Sequence, residues 1–305
     1  MKTKKLKYYC VLLSLITFSA GSAFSKAAKK QDEEMDWAGL FASEIIKSKS
    51  YLGLKCVYNS DKEYQASLKE HAADKDLNVA NADFVAQLQR VGINASQYNH
   101  NDSGLNYESK ELCFLTQNEY VAIRIYTGNY YQQINAALRN LDLQTLKNYR
   151  VLIKFLMAGL NKLENYVGVT KRGTNLKSEL TTFCEAGNAF GDRGFMSTSV
   201  AGGFGGQYRF ILASATCKYV APISSVSSEE EVLCLPGTLF QVRYMNVGAA
   251  GKEVIIQEVE GAGQRLNIDD LIKTLENNPE AQNPNNENYW AQTCQPAELI
   301  FGQQK

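Results

Sequence analysis

The sequence predicts an α+β fold in which helices come first along the chain and a β-sheet core follows. Apolar residues in the first half recur at spacings of three and four, the period of an amphipathic helix. From Val167 onward the period changes to two, as in strands that bury one face. Glycine clusters at residues 187–194 and 202–206 mark loops but form no G-x-G-x-x-G turn, so a Rossmann-type site is not expected.

The helices of the first half are predicted from apolar residues that share one face. The pattern is helical from about residue 37 to residue 92, with apolar positions at Trp37, Leu40, Phe41, Ile45, Phe84, Leu88 and Val91. Residues 121–126 alternate enough to indicate a strand end or a buried segment. Helices are then predicted over residues 130–140 and 146–163.

Strands are predicted where alternating apolar residues lie between turn signals. The predicted runs are residues 208–220, 231–235, 239–244 and 253–259. An Asn- and Pro-rich stretch at residues 277–288 indicates a surface loop.

The first 25 residues have the order of a secretory signal peptide. Four lysines, at positions 2, 4, 5 and 7, precede an apolar run at residues 11–20, and small residues follow up to Ser25. The apolar run is too short to span a membrane. We therefore expect a secreted protein with its signal peptide at residues 1–25 and with no membrane insertion.

Charge and histidine content exclude several classes of function. The chain has 32 basic and 32 acidic residues, so a nucleic-acid partner is not expected. The chain has two histidines, His71 and His100, so a His-based triad or a His-rich metal site is not expected. No C-x-x-C pair occurs, and no metal is predicted.

Two short motifs carry polar groups that could belong to a binding site. The Arg172 guanidinium can bind phosphate through two N–H groups, and Gly173 lets the backbone approach a ligand. An arginine in such a motif is, however, more often simply an exposed residue of a turn. In the run Ser197-Thr198-Ser199, a strand would place the first and third hydroxyl groups on one face. Such a run is more often simply a polar strand or loop.

The third motif is the acidic triplet Glu229-Glu230-Glu231. An acidic triplet is normally solvated, but this one adjoins an apolar strand. Glu229 and Glu231 are two residues apart, so a strand would direct both side chains to one side. Two carboxylates in one cleft can perform different tasks, because their surroundings separate their pKa values.

Taken in this order, the three motifs resemble the arginine-serine-glutamate class of ADP-ribosyltransferases, found in bacterial binary toxins and vertebrate ecto-enzymes. The resemblance covers about residues 121–259. Further residues similar to the family pattern are Tyr126-Thr127-Gly128, Tyr130, Ile134-Asn135, Leu138-Arg139 and Pro236-Gly237-Thr238. The resemblance implies the ADP-ribosyltransferase fold, with N-terminal helices followed by a two-sheet NAD-binding core.

Domain boundaries follow from this resemblance and from the patterns above. After the signal peptide, residues 26–118 are expected to form an N-terminal helical segment of the catalytic domain. Residues 119–262 are expected to form the ADP-ribosyltransferase core. Residues 263–305 are expected to be a C-terminal tail packed on the domain.

The resemblance also implies how the site binds NAD, its substrate. Arg172 would bind the pyrophosphate, and the backbone of Gly173 would hold the nicotinamide carboxamide. Ser197 would hydrogen-bond to the catalytic glutamate and orient it. Thr198 and Ser199 would support the site.

The two glutamates would carry the chemistry. Glu231 would accept a hydrogen bond from the 2′-hydroxyl of the nicotinamide ribose, and its charge would stabilise the oxocarbenium-like ribose. Glu229 would orient the incoming nucleophile and help to deprotonate it. A guanidinium is a poor nucleophile that needs such a second carboxylate, so the Glu-x-Glu pattern implies transfer of ADP-ribose to a protein arginine.

Two alternatives remain open at this point. An NAD glycohydrolase on the same fold would use water in place of the protein acceptor. A catalytically silent exported domain would only bind a partner.

The six cysteines beyond residue 25 suggest up to three disulfides, with buried free thiols as the alternative. Cys217 and Cys234 would lie opposite each other if the strands that carry them pair, although these strands could belong to different sheets. The resemblance implies a clamp between Cys56 and Cys294, a device of the vertebrate ecto-enzymes. Cys113 and Cys184 are left as a third pair.

Overall fold

The computed structural model describes residues 53–71, 74–98, 105–175, 187–202, 205–248, 251–259, 266–278 and 295–296. The expected signal peptide at residues 1–25 lies outside these ranges, as do the predicted helix around residues 37–45 and the predicted loop at 277–288 apart from its first two residues. Within the described ranges the chain forms a helical layer followed by a β-sheet, so the α+β class is confirmed. None of the helices in the described part of the chain is both long and apolar enough to cross a membrane.

Helices form the first part of the described chain. They are α1 (Asp61–His71), α2 (Asn81–Arg90), α3 (Gln117–Ile125), α4 (Tyr131–Asn140) and α5 (Leu143–Asn161), and α6 (Ile268–Asn277) comes before the last strand of the sheet. The long helix α5 begins three residues before the predicted start, because the Asp142 side chain accepts a hydrogen bond from the backbone N–H of Thr145 at 3.1 Å. A π-helical turn (Tyr126–Tyr130) joins α3 to α4.

The strand-like interpretation of residues 121–126 is wrong. They belong to α3 and to the π-helical turn that follows it. Thr116 and Glu119 form a capping box that starts the helix. Nearly every residue of α3 is buried, so its apolar residues surround the helix and no 3.6-residue period is visible.

Nine described strands hydrogen-bond in the order β5-β6-β3-β1-β4-β8-β7-β2-β9. They are β1 (Gly168–Thr174), β2 (Asn188–Gly191), β3 (Met196–Ser199), β4 (Tyr208–Ser214), β5 (Lys218–Tyr219), β6 (Glu231–Cys234), β7 (Leu239–Gly248), β8 (Gly251–Glu258) and β9 (Gln295–Pro296). β4 and β8 run parallel, and the other paired strands are antiparallel.

The two-sheet detail of the expected fold is not confirmed, because the strands pair in one continuous order. The pairing between β1 and β3 is nevertheless very limited, because these two strands share one residue pair, Lys171 with Ser199. β1 instead pairs along its whole length with β4, and β3 pairs with β6. The sheet therefore has an opening between β1 and β3. On one side of it β1 is paired with β4, and on the other side β3 is paired with β6.

The predicted strand at residues 208–220 is divided into β4 and β5, which lie far apart in the strand order. The buried Glu258 carboxylate holds the turn between them. Its Oε2 accepts hydrogen bonds from the backbone N–H groups of Ala215 at 2.7 Å and Thr216 at 2.8 Å, and its Oε1 accepts one from the Thr216 hydroxyl. Glu258 thus ends β4 and turns the chain toward β6.

Apolar side chains pack on both faces of the sheet. The larger cluster joins the helices to Phe195, Val220, Ile223, Leu233 and Leu235. The second cluster lies on the opposite face and is built from strand residues, among them Met196, Val232 and Cys234. The alternation of Val232, Leu233 and Cys234 between the two clusters shows that β6 is buried on both sides.

The expected disulfide between Cys217 and Cys234 is confirmed, with the two Cα atoms 4.1 Å apart. β5 and β6 pair as neighbours, with Lys218 opposite Leu233, which places the two cysteines at adjacent ends of the strands. The expected clamp between Cys56 and Cys294 is wrong, because Cys56 is bonded to Cys113. The third pair, Cys113 with Cys184, is wrong for the same reason, and Cys184 and Cys294 lie outside the described residues.

Removing the Cys217–Cys234 disulfide by a double substitution to alanine is expected to lower the free energy of unfolding by about 3 kcal/mol, the typical value for a short closed loop. Urea unfolding at equilibrium measures the change. Non-reduced peptide mapping of the wild-type protein is the control, and recovery of Cys217 linked to any cysteine other than Cys234 would contradict the pairing.

Candidate active site

The three sequence motifs meet where the sheet opens between β1 and β3. Arg172 lies on β1, Ser197 on β3, and Glu231 is the first residue of β6. The Arg172 Nη1 atom donates a hydrogen bond to the backbone carbonyl oxygen of Ser197 at 2.5 Å, across the opening. Ser199 is directly opposite Glu231 in the β3–β6 ladder. Residues separated by up to 59 positions are thus held in one place by strand pairing.

Glu231 is the electrostatic centre of this site, with 3% of its surface exposed. The pKa of its carboxyl group is raised to about 7, chiefly by burial and in addition by the negative charge of Glu229. Hydrogen bonding by the Ser197 and Ser224 hydroxyl groups and the positive charge of Arg172 act in the opposite direction. Within the described ranges, the Glu231 Oε2 atom is buried and has no hydrogen-bond partner. This oxygen is an acceptor available to a ligand hydroxyl.

Arg172 lies among charged groups in the same opening. Burial lowers the pKa of its guanidinium group, and the neighbouring positive charge of Arg139 adds to the effect. Asp192, Tyr126 and Glu231 act against this shift. A guanidinium has five N–H donors, so the bond to Ser197 leaves donors that suit a phosphate group.

Ser197 and Ser199 lie on the same face of β3, as predicted, but Thr198 does not. The Ser199 hydroxyl donates to the backbone carbonyl oxygen of Glu229 at 2.6 Å, which joins the end of β3 to the acidic triplet. Thr198 is fully buried on the opposite face, and its hydroxyl donates to the Val232 carbonyl oxygen at 2.8 Å. Thr198 therefore supports the pairing of β3 and β6 from behind, and its side chain does not face the opening.

The strand argument that placed Glu229 and Glu231 on one side is wrong. Glu229 ends a 3₁₀ turn (Ser227–Glu229), Glu230 has a φ of 46°, and β6 begins only at Glu231. A left-handed residue between them means that a two-residue strand repeat does not apply. The two carboxyl groups are nevertheless close enough for the charge of Glu229 to raise the pKa of Glu231.

A polar network under the site was not predicted in full from the sequence. The Asn135 amide donates to the Tyr126 hydroxyl at 2.9 Å and accepts from the backbone N–H of Phe195 at 2.8 Å. Arg139 binds the Asp192 carboxylate through two hydrogen bonds, of 2.9 and 2.8 Å. The network fixes the residues that lead into β3. The sequence did not reveal the role of Asp192, because its partner Arg139 is 53 positions away. The one signal near it was the glycine cluster at residues 187–194.

Gly173 is buried in β1, opposite Arg209 of β4. Its position next to Arg172 places a backbone segment at the opening of the sheet. Among the described residues, no cluster of three or more His, Cys, Asp or Glu side chains is arranged to hold a metal ion.

The family model described as NAD:arginine ADP-ribosyltransferase matches residues 54–262. Two NAD(+)--protein-arginine ADP-ribosyltransferases named Tre1 are similar in sequence. The protein from Serratia proteamaculans is 35% identical over 129 residues, which are 42% of this chain and 29% of the relative. The protein from Pseudomonas putida is 34% identical over 139 residues, which are 44% of this chain and 28% of the relative. The chain thus spans less than a third of the length of either Tre1 protein.

Solved structures with a similar chain trace are more distant in sequence. Exoenzyme S from Pseudomonas aeruginosa, in complex with human 14-3-3 protein beta and bound to carba-NAD, is 23% identical with a TM-score of 0.47, covering 63% of this chain and 98% of that one. The Vis toxin from Vibrio splendidus is 21% identical with a TM-score of 0.42, covering 60% of this chain and 88% of that one.

Replacing Glu231 by Gln is expected to stabilise the protein above neutral pH. The folded-state pKa of Glu231, about 7, lies above the ordinary value of 4.5, so the folded protein holds a proton that the unfolded chain releases between these values. Stability from this group is therefore full below about pH 4.5 and is lost as the pH rises through 7. At pH 8, Glu231→Gln should add on the order of 1–3 kcal/mol to the free energy of unfolding.

The comparison at pH 4.5 and pH 8 is made by urea unfolding, and the gain should disappear at the lower pH. Glu164→Gln is the matched control, because Glu164 is exposed, and it should change stability by less than about 0.5 kcal/mol at either pH. An equal gain at both values would show that packing, and not the buried charge, is responsible.

Proposed function

Because the chain belongs to the NAD:arginine ADP-ribosyltransferase family, we propose that it cleaves the bond between nicotinamide and ribose in NAD and transfers ADP-ribose to an arginine of a target protein. The observation that carries this proposal is the nearly fully buried Glu231 carboxyl group, with an Oε2 atom that has no partner among the described residues. Beside it lie Ser197 and Arg172, the other two members of the motif set.

The residues at the opening between β1 and β3 bind NAD in this proposal. Arg172 is half-buried and held by Ser197, so its remaining N–H groups are oriented before a ligand arrives. These donors suit the pyrophosphate, and the Gly173 backbone suits the nicotinamide carboxamide. Ser197 and Ser199 keep β3 and the acidic triplet in register with this binding surface.

Glu231 acts on the ribose. Its unpartnered oxygen accepts a hydrogen bond from the 2′-hydroxyl, and its negative charge stabilises the positive charge that develops on the ribose as the glycosidic bond breaks. The electron pair of that bond leaves with nicotinamide, which becomes neutral. Burial makes the charge more effective, because the surroundings of the carboxylate are less polar than water.

Glu229 acts on the acceptor. A guanidinium nitrogen attacks the ribose carbon that nicotinamide has left, and the proton that the guanidinium loses passes to the Glu229 carboxylate. Glu229 is half-buried at the end of its 3₁₀ turn, so it can meet an acceptor that approaches from solvent. Its carboxylate also affects the charge state of Glu231, which links the two roles.

Export and domain boundaries complete the proposal. The two disulfides of the described residues support an oxidising compartment, in agreement with the pattern of residues 1–25.

The family match starts at residue 54, which supports treating residues 26–118 as part of the catalytic domain, with a core at 119–262. Helix α6 packs Ile268, Ile272 and Leu275 into the larger apolar cluster, which supports a tail at 263–305 that packs on the domain.

Incubation with labelled NAD and agmatine, a small guanidino acceptor, tests the proposal. Formation of an ADP-ribosyl-agmatine adduct is the expected result. Release of nicotinamide without an adduct, with agmatine in excess, would indicate an NAD glycohydrolase. A folded protein that leaves NAD intact would indicate a silent binding domain.

In the same assay, Glu231→Gln is expected to reduce both transfer and NAD hydrolysis by at least about 100-fold, because the charge that stabilises the ribose is gone. Glu229→Gln should lose transfer to a similar extent but retain part of the hydrolysis, since water needs less activation than a guanidinium. Glu164→Gln, on the exposed surface, should leave both rates unchanged. Equal losses of both activities in the two site variants would refute the division of roles.

Arg172→Lys is expected to lower kcat/KM for NAD by about 10- to 100-fold, because an ammonium group cannot reproduce the planar fork of a guanidinium on a diphosphate. Steady-state kinetics with varied NAD measure the change. Arg90→Lys, on the exposed end of α2, is the control and should behave as the wild-type protein. An unchanged kcat/KM in Arg172→Lys would remove Arg172 from the NAD site.

A further inference from the structure

Thr127 belongs to the π-helical turn (Tyr126–Tyr130) that follows α3, and it is buried, with 7% of its surface exposed. Its hydroxyl group donates to the backbone carbonyl oxygen of Ile123, four residues earlier, at 3.0 Å. This bond uses the single proton of the hydroxyl group, so the oxygen can act only as an acceptor toward a further partner. The orientation of the Thr127 hydroxyl is therefore fixed by the helix from which it projects.

The further partner of the Thr127 oxygen lies in the loop between β5 and β6. The backbone N–H of Ser225, 98 positions away in the sequence, donates to this oxygen at 2.9 Å. The neighbouring Gly128 packs against the same serine, because a Cβ atom at position 128 would lie 3.5 Å from Ser225 Oγ. The π-helical turn and the loop are thus in direct contact at Thr127 and Gly128.

Arg124, at the end of α3, adds two further bonds to the same loop. Its Nη1 atom donates to the Ser224 carbonyl oxygen at 3.2 Å. Its own backbone carbonyl oxygen accepts from the Ser225 hydroxyl at 2.7 Å. Together with the bond to Thr127, three hydrogen bonds anchor two consecutive residues of the loop.

The anchored residues lead directly into the 3₁₀ turn (Ser227–Glu229) that ends at Glu229. The carbonyl oxygen of Val226, the next residue of the loop, accepts from the Glu229 N–H at 3.2 Å and closes this turn. On its other side, the Glu229 carbonyl oxygen accepts from the Ser199 hydroxyl at 2.6 Å. The backbone of Glu229 is thus held between β3 and the anchored loop.

We propose that Thr127 is a positioning residue for Glu229, which it holds through the backbone of Ser225. The assignment rests on the proposed function where it treats Glu229 as the group that takes the proton from the acceptor. Glu231 is placed by its pairing with Ser199 in the β3–β6 ladder, whereas Glu229 comes before that ladder begins. Because proton transfer depends on precise placement of the two groups, loss of the Thr127 hydroxyl should affect transfer more than cleavage of NAD.

Amide hydrogen exchange, measured by NMR on the full chain labelled with nitrogen-15, tests the contact without requiring activity. Thr127→Val keeps the shape of the side chain but removes the oxygen that accepts from the Ser225 N–H. Exchange of the Ser225 and Glu229 amides should become about 5- to 10-fold faster, the effect of losing one hydrogen bond. The Phe195 amide, which donates to Asn135, should exchange as in the wild-type protein.

Kinetics separate positioning of Glu229 from a general effect on the fold. Thr127→Val should lower kcat/KM for agmatine by about 5- to 10-fold, while NAD hydrolysis changes by less than about twofold. Thr127→Ser keeps the hydroxyl and should restore both the exchange rates and the transfer. Thr274→Val is the matched control, because the exposed Thr274 hydroxyl of α6 also donates to the carbonyl oxygen four residues earlier, and this variant should behave as the wild-type protein.

Unchanged exchange of the Ser225 amide in Thr127→Val would overturn the proposal, and so would equal losses of transfer and NAD hydrolysis. A Thr127→Ser protein as impaired as Thr127→Val would also overturn it, since packing and not the hydroxyl would then be responsible. A wild-type protein that neither hydrolyses NAD nor modifies agmatine would refute the proposed function. The exchange rates of the Ser225 and Glu229 amides would still decide whether Thr127 holds the turn.

Discussion

Burial of the Glu231 carboxyl group at the start of β6 is the constraint on which the rest of the site depends. A carboxylate loses solvation when it is buried, and here that loss is the main reason why the pKa of Glu231 is raised to about 7. Two hydroxyl groups and the Arg172 guanidinium offset part of this cost, while the Glu229 carboxylate adds to it. The balance leaves a group that changes its charge near neutral pH, as acid–base and electrostatic chemistry requires.

A second buried charge shows how differently a structural ion pair is built. Lys162 lies in the helical layer, where its Nζ atom donates to Glu119 Oε2 at 2.6 Å and to the Phe114 carbonyl oxygen at 2.8 Å. Glu119 Oε2 also accepts from the Thr116 N–H in the capping box of α3. Glu231 has no such complete set, because its Oε2 atom lacks a partner within the described residues. The two buried carboxylates thus differ: Glu119 Oε2 has several partners within the fold, whereas Glu231 Oε2 can still accept a hydrogen bond.

Contacts outside the site hold the elements that carry its residues. The Arg139–Asp192 pair and Asn135 hold the entry to β3. Glu258 turns the chain after β4, and the Cys217–Cys234 disulfide joins the residue before β5 to the last residue of β6, the strand that begins at Glu231. Between these supported parts, β1 and β3 share one residue pair. An opening in a sheet that is secured at its edges is a suitable place for an extended substrate.

The sequence by itself determined the α+β class, the family, and the residues of the three motifs, because hydrophobic period and short motifs are local properties. It also indicated the Cys217–Cys234 disulfide, whose partners lie on consecutive strands. Only the tertiary structure decided the helical state of residues 121–126, since complete burial removes the period that would reveal it. The same holds for the Cys56–Cys113 pairing and for the left-handed Glu230 that separates the two glutamates. The Asp192 partner of Arg139 also required it, because its geometry depends on packing between elements that no local pattern encodes.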